Sequence, residues 1–377
     1  MRCPQIPSFL RLPPARRPHR GPTRSLLSRT TERLRSSTGP RNPAGAARPR
    51  LLNQHRSNRH GSNQHRVLRW LCSIALLAAF APAAAACSNN AAAAPGVTGA
   101  FGADPDITMP NGNPPTGLQV TTLLQGSGAQ VTGDDFVLMY VEGKVWAGNR
   151  LVYDSFTNRE PQGVPLSTGG LLPAWTHLVG QRVGSRVMMI VPPKDGFGSA
   201  GDSSLNILGG DTLVFVFDLL SAVSETSVGQ GAPVAYHPAA DMPAVSVSGD
   251  AAPKITVPSK DTPPASLVVS TLVKGSGPTV LTNQTVVVQD SGVVWRSGVI
   301  FQSSWQQKYP DAFVIGQNEV IPGWEQAIGG ATVGSSLLVT IPPALAYGDQ
   351  AEPPDIEDND TLVFVIDIIA AYTPQTT

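Results

Sequence analysis

DTLVFVIDI, from Asp360 to Ile368, follows TIPPALAYG, from Thr340 to Gly348, and nearly the same words stand in the same order about 150 residues earlier in this 377-residue chain. There DTLVFVFDLL begins at Asp211 and is preceded by IVPPKDGFG from Ile190. Working outward, VGS occurs at Val183 and Val333, PAW at Pro173 to Trp175 answers PGW at Pro322 to Trp324, and GSG opens both series at Gly126 and Gly275. Order and spacing kept over roughly 105 residues mark two copies of one domain, placed at 117–222 and 265–373.

Charge divides the rest. Residues 1–66 hold 15 of the 27 basic residues, all arginine, against one acid, Glu32, leaving 12 basic and 26 acidic side chains for the remainder. An Arg- and Pro-rich stretch without apolar periodicity cannot bury a core and reads as a disordered extension. It lacks the aromatic interleaving and helical pattern of a nucleic-acid binder, so no nucleic-acid partner is expected. From Val67 the text becomes VLRWLCSIALLAAFAPAAAAC: arginines, an apolar run from Trp70 to Phe80 too short to span a bilayer comfortably, then small residues. That is the layout of a secretory signal over 67–87, and since such a signal normally opens a chain, 1–66 is expected to be an over-extended start. Ala84-Ala85-Ala86-Cys87 resembles the lipobox of bacterial lipoproteins, which implies lipidation of Cys87 and a place on the outer face of the cell membrane; plain cleavage and secretion is the alternative.

Cysteine occurs only at positions 3, 72 and 87, so neither repeat has a disulfide or a cysteine metal site, and each must stand on packing alone. Residues 88–116 and 223–264 are rich in Ala, Pro, Ser and Gly and read as a flexible tether and a spacer. Within a repeat, β-branched and apolar runs bounded by Gly, Pro and Asp predict strands at 118–124, 136–141, 186–191 and 212–220, with counterparts at 267–273, 285–289, 336–341 and 361–369. One short helix fits at 173–179 and at 322–328, each opened by proline, whose missing N–H costs nothing there. The expected fold class is α+β: two tandem domains, each an antiparallel half-barrel sheet wrapped around one short helix.

These residues carry a resemblance. FQSS at Phe301, NEVIPGWEQAI from Asn318, VGS, TIPPALAYG and DTLVFVIDI resemble FKBP-type peptidyl-prolyl cis-trans isomerases. YDSF at Tyr153, LLPAW at Leu171, VGS, IVPPKDGFG and DTLVFVFDLL make the first copy similar to a more diverged member. The resemblance implies an isomerase that acts on proline-containing peptides or unfolded exported proteins, as a monomer, without cofactor or metal. The alternative on the same fold is a non-catalytic peptide- or partner-binding module.

Such chemistry needs little. Rotation about an X-Pro bond faces a resonance barrier of about 18–20 kcal/mol, and its planar ground state is the more polar one. An apolar pocket that strips water from the amide therefore favours the twisted state without a nucleophile. Carried over by resemblance, the second copy has Trp324 as an indole floor, Val320 and Ile321 beside it with the Ile321 N–H as donor, Phe301 and Phe364 as walls, Ile356 as a loop contact and the Tyr347 hydroxyl as second donor. The first copy has Trp175, Leu171, Leu172, Tyr153 and Phe215, with Phe197 at the hydroxyl position, Tyr140 as a wall tyrosine and Asp154 as a carboxylate; Asp290 and Gln302 are expected opposite those last two. The loop from Trp146 to Tyr153 reads as one residue longer than that from Trp295 to Phe301.

Other features carry less. The GSG pairs read as turns, because no strand-then-helix context for phosphate surrounds them. The acidic run Asp355 to Asp360 lacks the central glycine and final glutamate of a calcium loop and reads as solvated. His177 and His237 have no partners at catalytic spacing and read as surface residues.

Overall fold

The computed structural model describes residues 93–168, 171–247, 251–258, 262–350 and 352–374. The Arg-rich extension, the signal-like run and Cys87 lie outside the described residues. Each repeat is an antiparallel sheet with few helical residues. The first orders its strands Gln119–Leu124, Arg186–Val191, Leu213–Ser224, Asp135–Val145 and Arg150–Asp154, with Gln162–Pro165 also on Asp135–Val145. The second runs Ile300–Ser303, Thr285–Val294, Leu362–Tyr372, Ser336–Ile341, Val268–Gly275 and Gly231–Pro233, with Asp311–Val314 also on Thr285–Val294.

The DTLVFV phrase sits in the middle of each sheet because its residues are apolar on both sides and both faces are covered. Its aspartate does separate work at the strand entrance: Asp211 accepts from the Leu208 N–H, and Asp360 accepts from Glu357 N–H and pairs with Arg296. The proline-started segments cover the inner face. Pro173–Leu178 is a 3₁₀ turn and Pro322–Ile328 a short α-helix; they bury Trp175 and Leu178, and Trp324, Ala327 and Ile328, respectively. GSG and VGS turn out to be one device. A Cβ on Gly126 would stand 2.2 Å from the Val183 carbonyl oxygen, and the Ser185 hydroxyl accepts the Gly126 N–H; Gly275, Val333 and Ser335 repeat this. Only glycine lets the two turns approach so closely.

Two expectations need correction. The segments read as tether and spacer are partly ordered on the sheets. Gly96–Thr98 pairs with Asp106–Thr108, and Ala244–Ser246 with Lys254–Thr256, forming a hairpin ahead of each repeat. Val97, Ile107 and Met109 pack on the outer face of the first sheet with Trp146, Met188 and Val214. Val245, Ile255 and Val257 pack likewise with Trp295, Leu338 and Val363. Nor does the spacer hold the repeats apart: the described residues of both belong to one compact unit. Phe136, Leu138, Tyr140 and Phe156 of the first repeat form an apolar cluster with Val287, Tyr309 and Tyr372 of the second.

Candidate functional site

In the second repeat a cleft of about 450 Å³ opens between the strand Ile300–Ser303 and the loop after Tyr347. Phe301, Tyr347 and Ile356 supply its apolar wall, and Gln302, Gln307, Glu352 and Asp355 its polar rim. Phe301 stands edge-on to Phe364 at 5.4 Å, and Phe364 edge-on to Trp324 at 5.1 Å. A Cβ on Gly292 would lie 2.5 Å from Phe364 and 3.0 Å from Phe301, so this strand position must be glycine for the rings to pass. Val320 and Ile321 lead into the helix, with Ile321 at its N-cap; among the described residues the Ile321 N–H donates to nothing.

The indole floor is corrected. Trp324 is 1% exposed and Trp175 fully buried, and neither indole N–H meets an acceptor among the described residues. Trp324 backs the cleft through Phe364 instead of lining it. In the first repeat Trp175 is held edge-on by Phe215 at 4.8 Å and Phe217 at 4.7 Å, in a core that also buries Leu172 and Phe197, with Leu171 and Tyr153 packed at its edge.

Strand pairing overturns three sequence matches. Gly143 pairs with Phe215 and Gly292 with Phe364, so Val141 is the counterpart of Asp290, and Tyr140 the counterpart of Gln289. Tyr140 therefore points away from Trp175, against Phe156 at 5.1 Å and Tyr372 at 6.3 Å, and burial there pushes its hydroxyl up to about 12. Val152 contacts the Cβ position of Gly143 as Phe301 does that of Gly292, so Tyr153 answers Gln302 and the two loops are equal in length. Asp154 caps a turn, accepting from Phe156 and Thr157 N–H groups; Ser303, its counterpart, caps the helix Ser304–Gln307.

Asp290, expected at the site, stands behind the cleft and not in its lining. It is wholly buried, and burial followed by the adjacent Asp311 holds its carboxyl well above the usual carboxylate range. Asp311 is pushed up by burial too, and accepts from the amide groups of Gln302 and Gln307. Two buried carboxyls side by side cannot both ionise, so the pair keeps a proton. Asp311 was not singled out from sequence; its register opposite Val288, where the first repeat has Gln162 opposite Met139, is visible only in the pairing. Among the described residues no three His, Cys, Asp or Glu side chains gather as a metal site. The Asp355 to Asp360 run serves the loop through Asp360.

The pattern of the family described as FKBP-type peptidyl-prolyl cis-trans isomerase matches residues 128–220 and 277–369. An FK506-binding protein of Streptomyces anulatus is 38% identical over 119 residues, which is 31% of this chain and 95% of that protein. The peptidyl-prolyl cis-trans isomerase FKBP15-1 of Arabidopsis thaliana is 41% identical over 73 residues, 19% of this chain and 48% of that protein. For the peptidyl-prolyl cis-trans isomerase FPR2 of Saccharomyces cerevisiae the figures are 37% over 84 residues, 22% of this chain and 62% of that protein. The chain thus spans nearly all of the bacterial relative and about half to three fifths of the other two.

Proposed function

The chain belongs to the family of FKBP-type peptidyl-prolyl cis-trans isomerases and carries two copies of its domain, and from that premise we propose that the second repeat is the working isomerase, acting on prolyl segments of exported proteins. The observation that carries this is the cleft that brings Phe301, Tyr347 and Ile356 together. A prolyl ring against Phe301 and Ile356 loses water from its amide, which raises the polar planar form relative to the twisted one. The Tyr347 hydroxyl and the Ile321 N–H are the donors for the peptide carbonyl as it decouples from nitrogen. Trp324 acts from behind, fixing Phe364 and through it Phe301. A hundredfold acceleration needs a barrier lower by only about 2.7 kcal/mol, within reach of such a site.

The first repeat lacks the hydroxyl, having Phe197 where Tyr347 stands, and offers Val152 where Phe301 stands. It is the supporting copy in this reading. The buried pair of Asp290 and Asp311 favours a second reading, in which the cleft holds peptides without turnover, because a carboxyl beside the wall keeps the pocket polar. Isomerisation of a prolyl tetrapeptide by the whole chain separates them. Phe301→Ala should cost at least about tenfold in kcat/KM, equivalent to about 1.4 kcal/mol, while Tyr153→Ala leaves the rate alone. A full rate in Phe301→Ala with loss in Tyr153→Ala would move the site to the first repeat; absence of acceleration in the folded parent would leave the holding role.

Export and anchoring belong to the same proposal, supported by the apolar run Trp70 to Phe80 and the small residues before Cys87. Incorporation of labelled palmitate into the parent but not into Cys87→Ser tests it, and equal labelling would remove the anchor.

A further inference from the structure

The outer faces of the two sheets carry the same carboxylate in different company. In the first repeat Arg186 lies opposite Asp218 on the neighbouring strand, and its Nε and Nη2 donate to the two carboxylate oxygens at 2.7 Å each. The rest of the guanidinium is satisfied by the hairpin: Nη1 donates to the Gly99 carbonyl at 2.8 Å and Nη2 to that of Ala103 at 2.7 Å. Arg186 is 3% exposed and Asp218 fully buried, so the cation is an internal plug between sheet and hairpin loop.

In the second repeat the carboxylate and the flanking hairpin strands are present without the plug. Asp367 takes the place of Asp218, and Ser336 stands opposite it where Arg186 stands in the first repeat. The hairpin registers Thr98 with Asp106 and Ser246 with Lys254, which makes Val247 and Ala251 the counterparts of Gly99 and Ala103. Where the guanidinium would lie there is a cavity of about 350 Å³, whose lining includes Asp367, Ser336, Val247 and Ala251 together with the apolar walls Tyr236, Leu272 and Val365. Asp367 is 6% exposed, has the Ser336 hydroxyl and the Gly229 backbone beside it, and makes no ion pair among the described residues. Burial pushes its carboxyl above the usual range. A buried carboxylate at the bottom of an apolar cleft is stabilised by a cation that reaches it on an apolar stem, and a planar guanidinium fork matches its two oxygens better than a point-charge ammonium.

We propose that the cavity between the hairpin strands Ala244–Ser246 and Lys254–Thr256 and the sheet of the second repeat binds an alkylguanidinium, the side chain of an arginine or a free ligand of that chemistry, with Asp367 as its anion and the Ser336 hydroxyl beside it. The site is open where the first repeat is self-occupied, and the acidic balance of the chain beyond residue 66 favours a cationic guest. It lies on the outer face of the sheet, away from Phe301 and Tyr347, so occupancy and isomerisation are separately measurable.

The test is calorimetric titration of the whole chain with agmatine and with N-acetyl-arginine amide, against N-acetyl-citrulline amide as the neutral isostere. Both cations should bind and the citrulline compound should not, with affinity rising as pH rises and Asp367 ionises. Response to agmatine alone places the source among free ligands; response to both admits a peptide arginine. Asp367→Asn should weaken binding at least tenfold. Ser336→Arg, which supplies the first repeat's own plug, should abolish binding while raising Tm. No binding by the parent, equal binding of citrulline, or undiminished binding in either variant would overturn the assignment.

Discussion

In the first repeat Arg186 closes the space under the hairpin and Phe197 closes the inner face with a ring that cannot donate; in the second, Ser336 leaves the outer cavity open and Tyr347 puts a hydroxyl at the inner cleft. The same framework is thus sealed from within in one copy and accessible in the other. Not every difference between the copies matters in this way. Trp175 has Phe217 against it and Val164 at the register where the second repeat has Phe313; Trp324 has Phe313 against it and Ile366 where the first has Phe217. One aromatic ring has changed strands and the total volume is nearly kept, the kind of exchange a close-packed core tolerates. The lesson is that divergence between the copies is functional where it meets a cavity and neutral where it is paid back by a neighbour.

Five substitutions would break or sharpen that contrast. Arg186→Ala should have the largest effect, because it strands a wholly buried carboxylate: a loss of about 3–5 kcal/mol in denaturant unfolding is expected, against a change within about 0.5 kcal/mol for an exposed surface site. A small loss would mean that the first hairpin is not held by the plug. Phe217→Ile should cost about 2 kcal/mol by leaving space beside Trp175, and adding Val164→Phe should recover most of it if the ring exchange is real. Independent, additive losses would show the two positions to be unrelated.

Asp290→Val, which installs the first repeat's residue, should stabilise by about 1–3 kcal/mol near pH 8. The sign follows from the raised carboxyl: folding is supported while the group is protonated, and that support is lost as pH rises through its folded value, so the gain should shrink as pH falls toward 4. A gain independent of pH would assign the effect to packing alone. Tyr347→Phe, which makes the second site resemble the first, should have the smallest effect, lowering kcat/KM about three- to tenfold with Tm unchanged. An unchanged rate would remove the hydroxyl from the mechanism.

The central strands, the GSG turns and the proline-started segments were legible because each rests on a local pattern repeated in order. The faces of the strands were not. Asp135–Val145 is buried along nearly its whole length, with Val137, Met139 and Val141 on the inner core and Phe136, Leu138 and Tyr140 in the cluster shared with the second repeat. A strand apolar on both sides carries no alternation to say which residue faces the site, and a slip of one position sends every side chain to the other face. Tyr140 was misplaced for that reason. The same slip misaligned Tyr153 with Phe301. The hairpins escaped because three-residue strands in Ala-, Pro- and Ser-rich text offer no period to count.

By itself, then, the amino-acid order determined that the molecule is a tandem repeat of one sheet-and-helix domain and which family the domain resembles, since recurrence and turn chemistry are local properties of the chain. Only the tertiary structure decided which side chains meet. Strand register put Asp290 and Asp311 together and turned Tyr140 outward, and the packing of a hairpin on each sheet left a cavity over Asp367 where Arg186 fills the first copy. The physical reason is that pairing between distant strands, and the burial it imposes on both faces, is set by contacts between residues far apart in the chain.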